Sequence, residues 1–153
     1  EDRMHFTIHK ADKRYLSEIN RLVVETRIGS PMEKLDDQYW IAKVNGRVVG
    51  SMGATMIDGN TAVLTTLAVE KPYRKQGIGM SLFDQAVAHV RFRGAITVGF
   101  ITMYYHFNRF KRRGFRTMPR KFLSEPLKSH WMFTAKRYMK CAAMVQSFPS
   151  RAN

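Results

Sequence analysis

Between Thr65 and Asp84 the chain reads TTLAVEKPYRKQGIGMSLFD. Gly77 and Gly79 stand behind Arg74, Lys75 and Gln76 and ahead of an apolar pattern of helical period. The first N–H groups of a helix have no partner within it, and the helix dipole adds partial positive charge there. Glycines at that point let the backbone approach a ligand closely, so a pyrophosphate is met by backbone N–H groups. Leu67, Ala68 and Val69 form a short apolar run suited to a buried strand. Pro72, which has no N–H to donate, stops the ladder. Strand, turn, glycine loop and helix together read as a phosphate cradle.

Spacing separates this cradle from other nucleotide loops. No Gly-x-x-x-x-Gly-Lys followed by Ser or Thr is present, which excludes a Walker loop, and no full Gly-x-Gly-x-x-Gly opens a βαβ unit. The stretch Arg74-Lys75-Gln76-Gly77-Ile78-Gly79, preceded by Leu67-Ala68-Val69 and Pro72-Tyr73-Arg74, resembles the acetyl-CoA loop of the GNAT superfamily of N-acetyltransferases. A later Arg113-Gly114-Phe115 resembles the closing Leu-Gly-Phe of that family. The resemblance runs from about Phe6 to Thr134. It implies an acetyl-CoA-dependent transfer to a primary amine, with Leu67, Ala68, Val69 and Arg74 through Met80 (Lys75, Gln76, Gly77, Ile78 and Gly79 included) holding the donor. It implies no metal.

Acetyl transfer to an amine requires loss of the amine proton, polarisation of the thioester carbonyl and protonation of the leaving thiolate. In the resembled family a backbone N–H polarises the carbonyl, and Val69 is the matching position. Holding both reactants in one ternary complex supplies much of the rate. The family's usual acid is a tyrosine five residues before the phenylalanine of Leu-Gly-Phe; that position here is Phe110, which has no proton to give. His106 lies one turn earlier on the same helical face, with Tyr104 and Tyr105 at the helix entrance. Any of the three could reach the acceptor slot, and each could equally pack as an aromatic; Tyr105 and His106 are the candidates carried forward. Strand carboxylates frequent in relatives are replaced by Val63, Thr65 and Thr66. Glu70, just past the strand, could act as base through water, or form a surface ion pair beside Lys71.

Arg109, Lys111, Arg112, Arg113, Arg116, Arg120 and Lys121 form a run with no acidic residue among them. It reads as a solvated face, as a site for a carboxylate or phosphate that arginine forks fit, or as an RNA contact. The segment FKRRGF, with the later KRYMKCAAMV, is similar to the acetyltransferase domain of N-acetylglutamate synthases, which would imply an amino acid acceptor. Transferases that use long-chain acyl-carrier-protein or acyl-CoA donors share this architecture, as does a non-catalytic acyl-CoA-binding module. The partners expected are a small-molecule amine, with an acidic carrier protein and a second copy of the chain as further candidates; nucleic acid is disfavoured.

The elements that must position these groups follow from periodicity. The sequence has 153 residues, enough to bury a core, with 44% hydrophobic and 12% aromatic content. Its 26 Lys and Arg against 12 Asp and Glu give a formal charge of +14, a field that favours anionic partners. No signal-peptide pattern or membrane-length apolar run is visible, and one cysteine, Cys141, fits a reducing cytoplasm. A strand over 6–9, a helix from Asp12 stopped by Gly29 and Pro31, and a short helix over 31–37 carrying Glu33, Asp36 and Asp37 are expected. Asn45-Gly46 and Asp58-Gly59-Asn60 predict a three-stranded meander feeding the loop. Gly50 and Gly53 mark a bulge or a close approach. After the loop come a helix closed by Gly94, a parallel fifth strand over 95–101, a helix over 103–113 and a last strand over 129–134. His89, on the helix after the loop, is expected to be exposed. The fold class is α/β: a mixed, mainly antiparallel sheet of six or seven strands, splayed between the fourth and fifth, with about four helices. Residues 1–144 are expected to form a single domain and 145–153 a disordered tail.

Overall fold

The computed structural model describes residues 4–35 and 38–150. A seven-stranded sheet has the order β1-β2-β3-β4-β5-β7-β6, built from β1 (Thr7–Ala11), β2 (Gln38–Val44), β3 (Arg47–Met56), β4 (Thr61–Val69), β5 (Thr97–Thr102), β6 (Arg116–Met118) and β7 (Ala142–Ser147). Five α-helices lie among the described residues: α1 (Leu16–Glu25), α2 (Ile78–Phe92), α3 (Phe107–Lys111), α4 (Glu125–Ser129) and α5 (Trp131–Thr134). The chain forms two compact units, one of residues 1–54 and 65–89, the other of residues 55–64 and 90–153.

In the first unit, β1, β2 and β3 pair antiparallel. Asn45 and Gly46 both take positive φ, 48° and 81°, as a two-residue primed turn requires. Ala42 faces Gly50 while Lys43 faces Val48, so Val49 is an extra residue and a β-bulge. The neighbouring glycines are close-approach positions. A Cβ on Gly53 would lie 2.5 Å from the Thr65 hydroxyl and 2.7 Å from the Tyr39 ring, and one on Gly50 would press on Leu82, Ile78 and the Ala68 carbonyl at 3.1–3.3 Å. Ile19, Leu22 and Val23 of α1, at helical spacing, are buried against Tyr39, Ile41, Val48 and Ala68.

Helix α1 stops earlier than Gly29 and Pro31 would place it. Arg27 adopts φ 60°, with its N–H on the Val24 carbonyl and that of Ile28 on the Val23 carbonyl. This is a Schellman closure built on arginine instead of glycine. The helix expected over 31–37 is absent across 31–35. There the Asn20 side chain takes both backbone groups of Met32, donating to its carbonyl and accepting from its N–H at 2.8 Å each. Asp36 and Asp37 lie outside the described residues.

In the second unit β4 runs parallel to β5 through three registered pairs, Thr61↔Thr97, Ala62↔Val98 and Val63↔Gly99. The pairing ends there although β4 continues to Val69 and β5 to Thr102, which is the splay expected between the fourth and fifth strands. Gly94, at φ 107°, closes α2 with Ala95 N–H on the Val90 carbonyl. Leu123, Leu127, Met132 and Phe133 pack with Val63, Ala143 and Val145 into one core. Phe110 belongs to the packing too: its ring meets Phe100 edge-on at 4.7 Å, and Phe100 meets Phe115 at 5.1 Å.

Two expectations for the C-terminal part are corrected. Residues 129–134 are not a strand. Pro126 sits in the first turn of α4, and the His130 ring accepts the Met132 N–H to start α5, so Leu127, Met132 and Phe133 are buried from helical turns. The last strand is instead Ala142–Ser147, of which 145–147 fall in the expected tail. This strand pairs antiparallel with both β5 and β6, and Val145 is buried. Its four consecutive apolar residues, Ala142 to Val145, form too short a run, without alternation, to stand out between a basic stretch and a polar terminus.

Candidate active site

The cradle residues lie together in the first unit. Strand β4 ends at Val69, a 3-10 turn covers Lys71–Tyr73, and α2 opens at Ile78. The Arg74 Nε donates to the Val69 carbonyl at 2.8 Å, tying the loop back to the end of the strand. Lys75 and Gly77 both take positive φ, 65° and 87°. The Gly77 carbonyl accepts from Ser81 N–H at 3.0 Å, which makes Gly77 the helix cap. The N–H groups of Ile78, Gly79 and Met80 therefore precede the first donor with a partner inside the helix. Ile78 is buried and anchors the turn, while Arg74, Lys75 and Gly77 are exposed. No heavy atom lies within 4 Å of where a Gly77 Cβ would be, and a Gly79 Cβ would meet only Val69 and Leu67 side chains at 3.7 and 3.8 Å. A run of first-turn amides with no acceptor inside the helix, beside two cationic side chains and the open space at Gly77, fits a diphosphate.

Upstream, Thr66 has φ 41° in the middle of β4, a left-handed value foreign to a strand. The buried hydroxyls of Thr65 and Thr66, and that of Ser51 on β3, have no hydrogen-bond partner. In the sequence the two threonines stand out only as positions where a carboxylate is missing. The backbone reversal at Thr66 carries no local signal, because threonine is an ordinary strand residue.

Glu70 is 8% exposed and held from two sides. Arg47 donates to it through Nε at 2.9 Å and Nη2 at 2.7 Å, and Arg21 through Nη1 at 3.1 Å. The bidentate Arg47 contact, joined by Arg21, holds the carboxyl below the usual carboxylate range against the opposing effect of burial. Glu70 is thus ion-paired in a buried position, with Arg47 and Arg21 as partners, rather than at the surface as expected. Arg21 also spans Glu18 and Glu25 along α1 and donates to the Val48 carbonyl. The Glu70 N–H donates to the Val49 carbonyl at 2.8 Å, so backbone and side chain fix the residue that leads into the loop. A carboxylate so stabilised as an anion is a weak base. His89 is half-buried, not exposed, with its ring 5.1 Å from Trp40.

Tyr105 and His106 lie in the second unit, before α3. Tyr105 is 64% exposed and His106 half-buried; their ring centroids are 4.4 Å apart, and Tyr104 meets Tyr105 edge-on at 5.6 Å. Within the basic run the arginines divide. Arg120 donates to the carbonyls of Phe133, Tyr138 and Cys141 at 2.7–2.9 Å and is a structural clip. Arg112 and Arg116 are exposed.

A splayed α/β sheet with an amide cradle at the fourth strand's end defines a class of acyl-transfer folds. The acetyltransferase (GNAT) family model matches residues 6–115, and the chain belongs to that family. No curated protein matches. The fold is similar to that of N-acetylglutamate synthase from Neisseria gonorrhoeae complexed with coenzyme A and N-acetyl-glutamate, with a TM-score of 0.78 at 16% identity over 97% of this chain. This chain spans 36% of that protein's length. Rv2747 from Mycobacterium tuberculosis, in complex with CoA, gives 0.75 at 17% identity, covering 94% of this chain and 99% of the other. The ribosomal-protein-S18-alanine N-acetyltransferase from Escherichia coli gives 0.71 at 15%, covering 97% of each. No helix among the described residues is long and apolar enough to cross a membrane, and no cluster of three metal-ligating side chains occurs among them.

Proposed function

We propose that the chain transfers the acetyl group of acetyl-CoA to the primary amine of a small acceptor, an amino acid being the favoured class. The observation that carries this reading is the first-turn amide run from Ile78 to Met80, which has no acceptor inside the helix and follows the cap residue Gly77, itself facing open space. Leu67, Ala68 and Val69 would line the donor's pantetheine arm, while Arg74, Lys75, Gln76 and the amides through Met80 take its diphosphate. The Val69 N–H would polarise the thioester carbonyl.

In the reaction the neutral amine attacks the carbonyl carbon, forming C–N as C–S breaks. One proton leaves the nitrogen and one reaches the departing sulfur. Phe110 is packed in the core and has no proton to give, so proton delivery falls to Tyr105 or His106, which adjoin each other ahead of α3. Water takes the amine proton, since Glu70 is engaged by two arginines. Glu70 acts instead as a positioning residue for the loop. The amino acid reading rests on the similarity to the N-acetylglutamate synthase domain and on the exposed arginines of the basic run.

The test is thiol release from acetyl-CoA across a panel of amino acids, polyamines and lysine peptides, beside direct titration of acetyl-CoA by calorimetry. Turnover well above hydrolysis with an amino acid is the expected result. Binding of acetyl-CoA without turnover on any amine would make the chain a binding module. Reaction only with carrier-bound acyl groups would replace the donor.

A further inference from the structure

We propose that the second unit carries a docking surface for an acidic polypeptide segment with apolar side chains interspersed. The charge of the chain is unevenly shared. This unit holds 14 Lys and Arg against only Asp58 and Glu125, whereas the first unit holds 12 against 10. Glu125 already lies 3.8 Å from Lys128. The positive field therefore belongs almost wholly to one unit, and nothing in acetyl-CoA recognition by the first unit's loop requires it there.

The fold gathers part of that charge around exposed apolar side chains. By donating to the carbonyls of Phe133, Tyr138 and Cys141, Arg120 folds the segment after α5 back on itself. The Cys141 Sγ then lies 3.4 Å from the Met103 Sδ, bringing the turn that bears Tyr104 to the same place. Tyr104 is 75% exposed, Trp131 57% and Met139 53%, with Lys121, Lys136 and Lys140 exposed along the same segments. Large apolar groups left in water at one place mark an interaction site, and aromatic and methionine side chains are what interface centres favour. The surrounding lysines select an acidic occupant and repel a basic one.

A polypeptide fits better than a nucleic acid. Base stacking needs free flat faces, yet Trp131 already lies beside the rings of His130 and Tyr138, at 5.8 and 6.1 Å, and Tyr104 meets Tyr105 at 5.6 Å. The thioether of Met139 gives adaptable contact to aliphatic side chains.

The surface can be read directly, because Trp40 is buried and Trp131 exposed, and the chain has two tryptophans. The probe is a fluorescein-labelled peptide of about 16 residues, glutamate and leucine in equal number. It is compared with polyglutamate and oligouridine of equal length, without acetyl-CoA. The mixed peptide should bind about tenfold more tightly than polyglutamate, shift the Trp131 emission, and weaken as salt rises from roughly 50 to 300 mM. Lys136→Glu with Lys140→Glu should lower its affinity at least about tenfold at an unchanged melting temperature, and Met139→Ser should weaken the mixed peptide alone. Tighter binding of oligouridine, or an affinity indifferent to these substitutions in a folded protein, would overturn the proposal. Since no donor or acceptor is present, the result is independent of the acetyl-transfer reading.

Discussion

Arg47 and Glu70 meet through two parallel hydrogen bonds, Nε to Oε1 at 2.9 Å and Nη2 to Oε2 at 2.7 Å, joining the start of β3 to the residue that leaves β4. Fork-to-carboxylate contacts of this kind fix geometry as well as charge. The carboxylate that stands as a candidate base in the sequence is thereby held by two arginines at the entrance to the cradle.

Glu70→Gln tests that assignment. A general base would lose about 10²–10⁴ in kcat on substitution. A positioning residue should instead raise the KM for acetyl-CoA severalfold and leave kcat, and its dependence on pH, nearly unchanged. Steady-state kinetics from neutral to alkaline pH separate the two, and a collapse of kcat with unaltered KM would restore Glu70 as the base.

The same pair sets an acid limit. The carboxyl of Glu70 titrates lower when folded than when unfolded, so its contribution is fully present above the unfolded value, near 4.5. It is lost as pH falls through the lower folded value. Melting temperature between neutral pH and about pH 3 should drop more steeply in the wild type than in Glu70→Gln, with the two curves converging in acid. Parallel curves would mean that the ion pair contributes nothing to stability.

The loop makes opposite demands at its two glycines. Gly77→Val would force a branched side chain to φ 87° over open space, and acetyl-CoA affinity should fall at least about tenfold. Gly79→Ala adds a methyl that meets Leu67 and Val69 at ordinary contact distance, so the fold should tolerate it within about 0.5 kcal/mol. Calorimetric titration of both variants decides; equal donor affinity for Gly77→Val and wild type would sink the placement of the diphosphate.

Arginines of the basic run should behave as two groups. Arg120→Ala removes donors from three carbonyls and should cost about 1.5–3 kcal/mol of stability. Exposed Arg112→Ala and Arg116→Ala should leave the melting temperature unchanged. If either holds an acceptor carboxylate, its loss lowers acceptor kcat/KM roughly ten- to a hundredfold with donor affinity intact.

Proton delivery can be assigned by removing each candidate donor in turn. Tyr105→Phe keeps the exposed ring and removes only the hydroxyl, so stability should not move. If Tyr105 is the acid, kcat falls about a hundredfold or more. His106→Gln is the companion variant, and two fully active proteins would place the proton source elsewhere.

Legibility followed the range of the forces involved. The Asn45-Gly46 turn, the meander, the glycine loop and the Gly94 stop were visible because each rests on a local conformational requirement that few residues meet. The length of α1 and the absence of a helix after Pro31 were not. The first turns on an arginine in a left-handed conformation and the second on the Asn20 amide, whose partner lies 12 residues away. The partners of Glu70 were hidden for the same reason, Arg21 being 49 positions distant. The helical turn of α5 has no strand-excluding signal in the sequence, because a helix of four residues lacks room to show a period.

The position of β7 bears on how the protein is made. It pairs with β5, whose residues lie 40 to 50 positions earlier in the chain, from Thr102↔Ala142 to Thr97↔Ser147. During synthesis β5 leaves the ribosome well before the strand that completes one of its sides. For that interval an apolar strand edge is exposed, the arrangement most prone to pairing with a stranger. A premature stop before Ala142 would make the interval permanent. Such a truncated product would be expected in inclusion bodies, even though the loop that defines the family is intact within it.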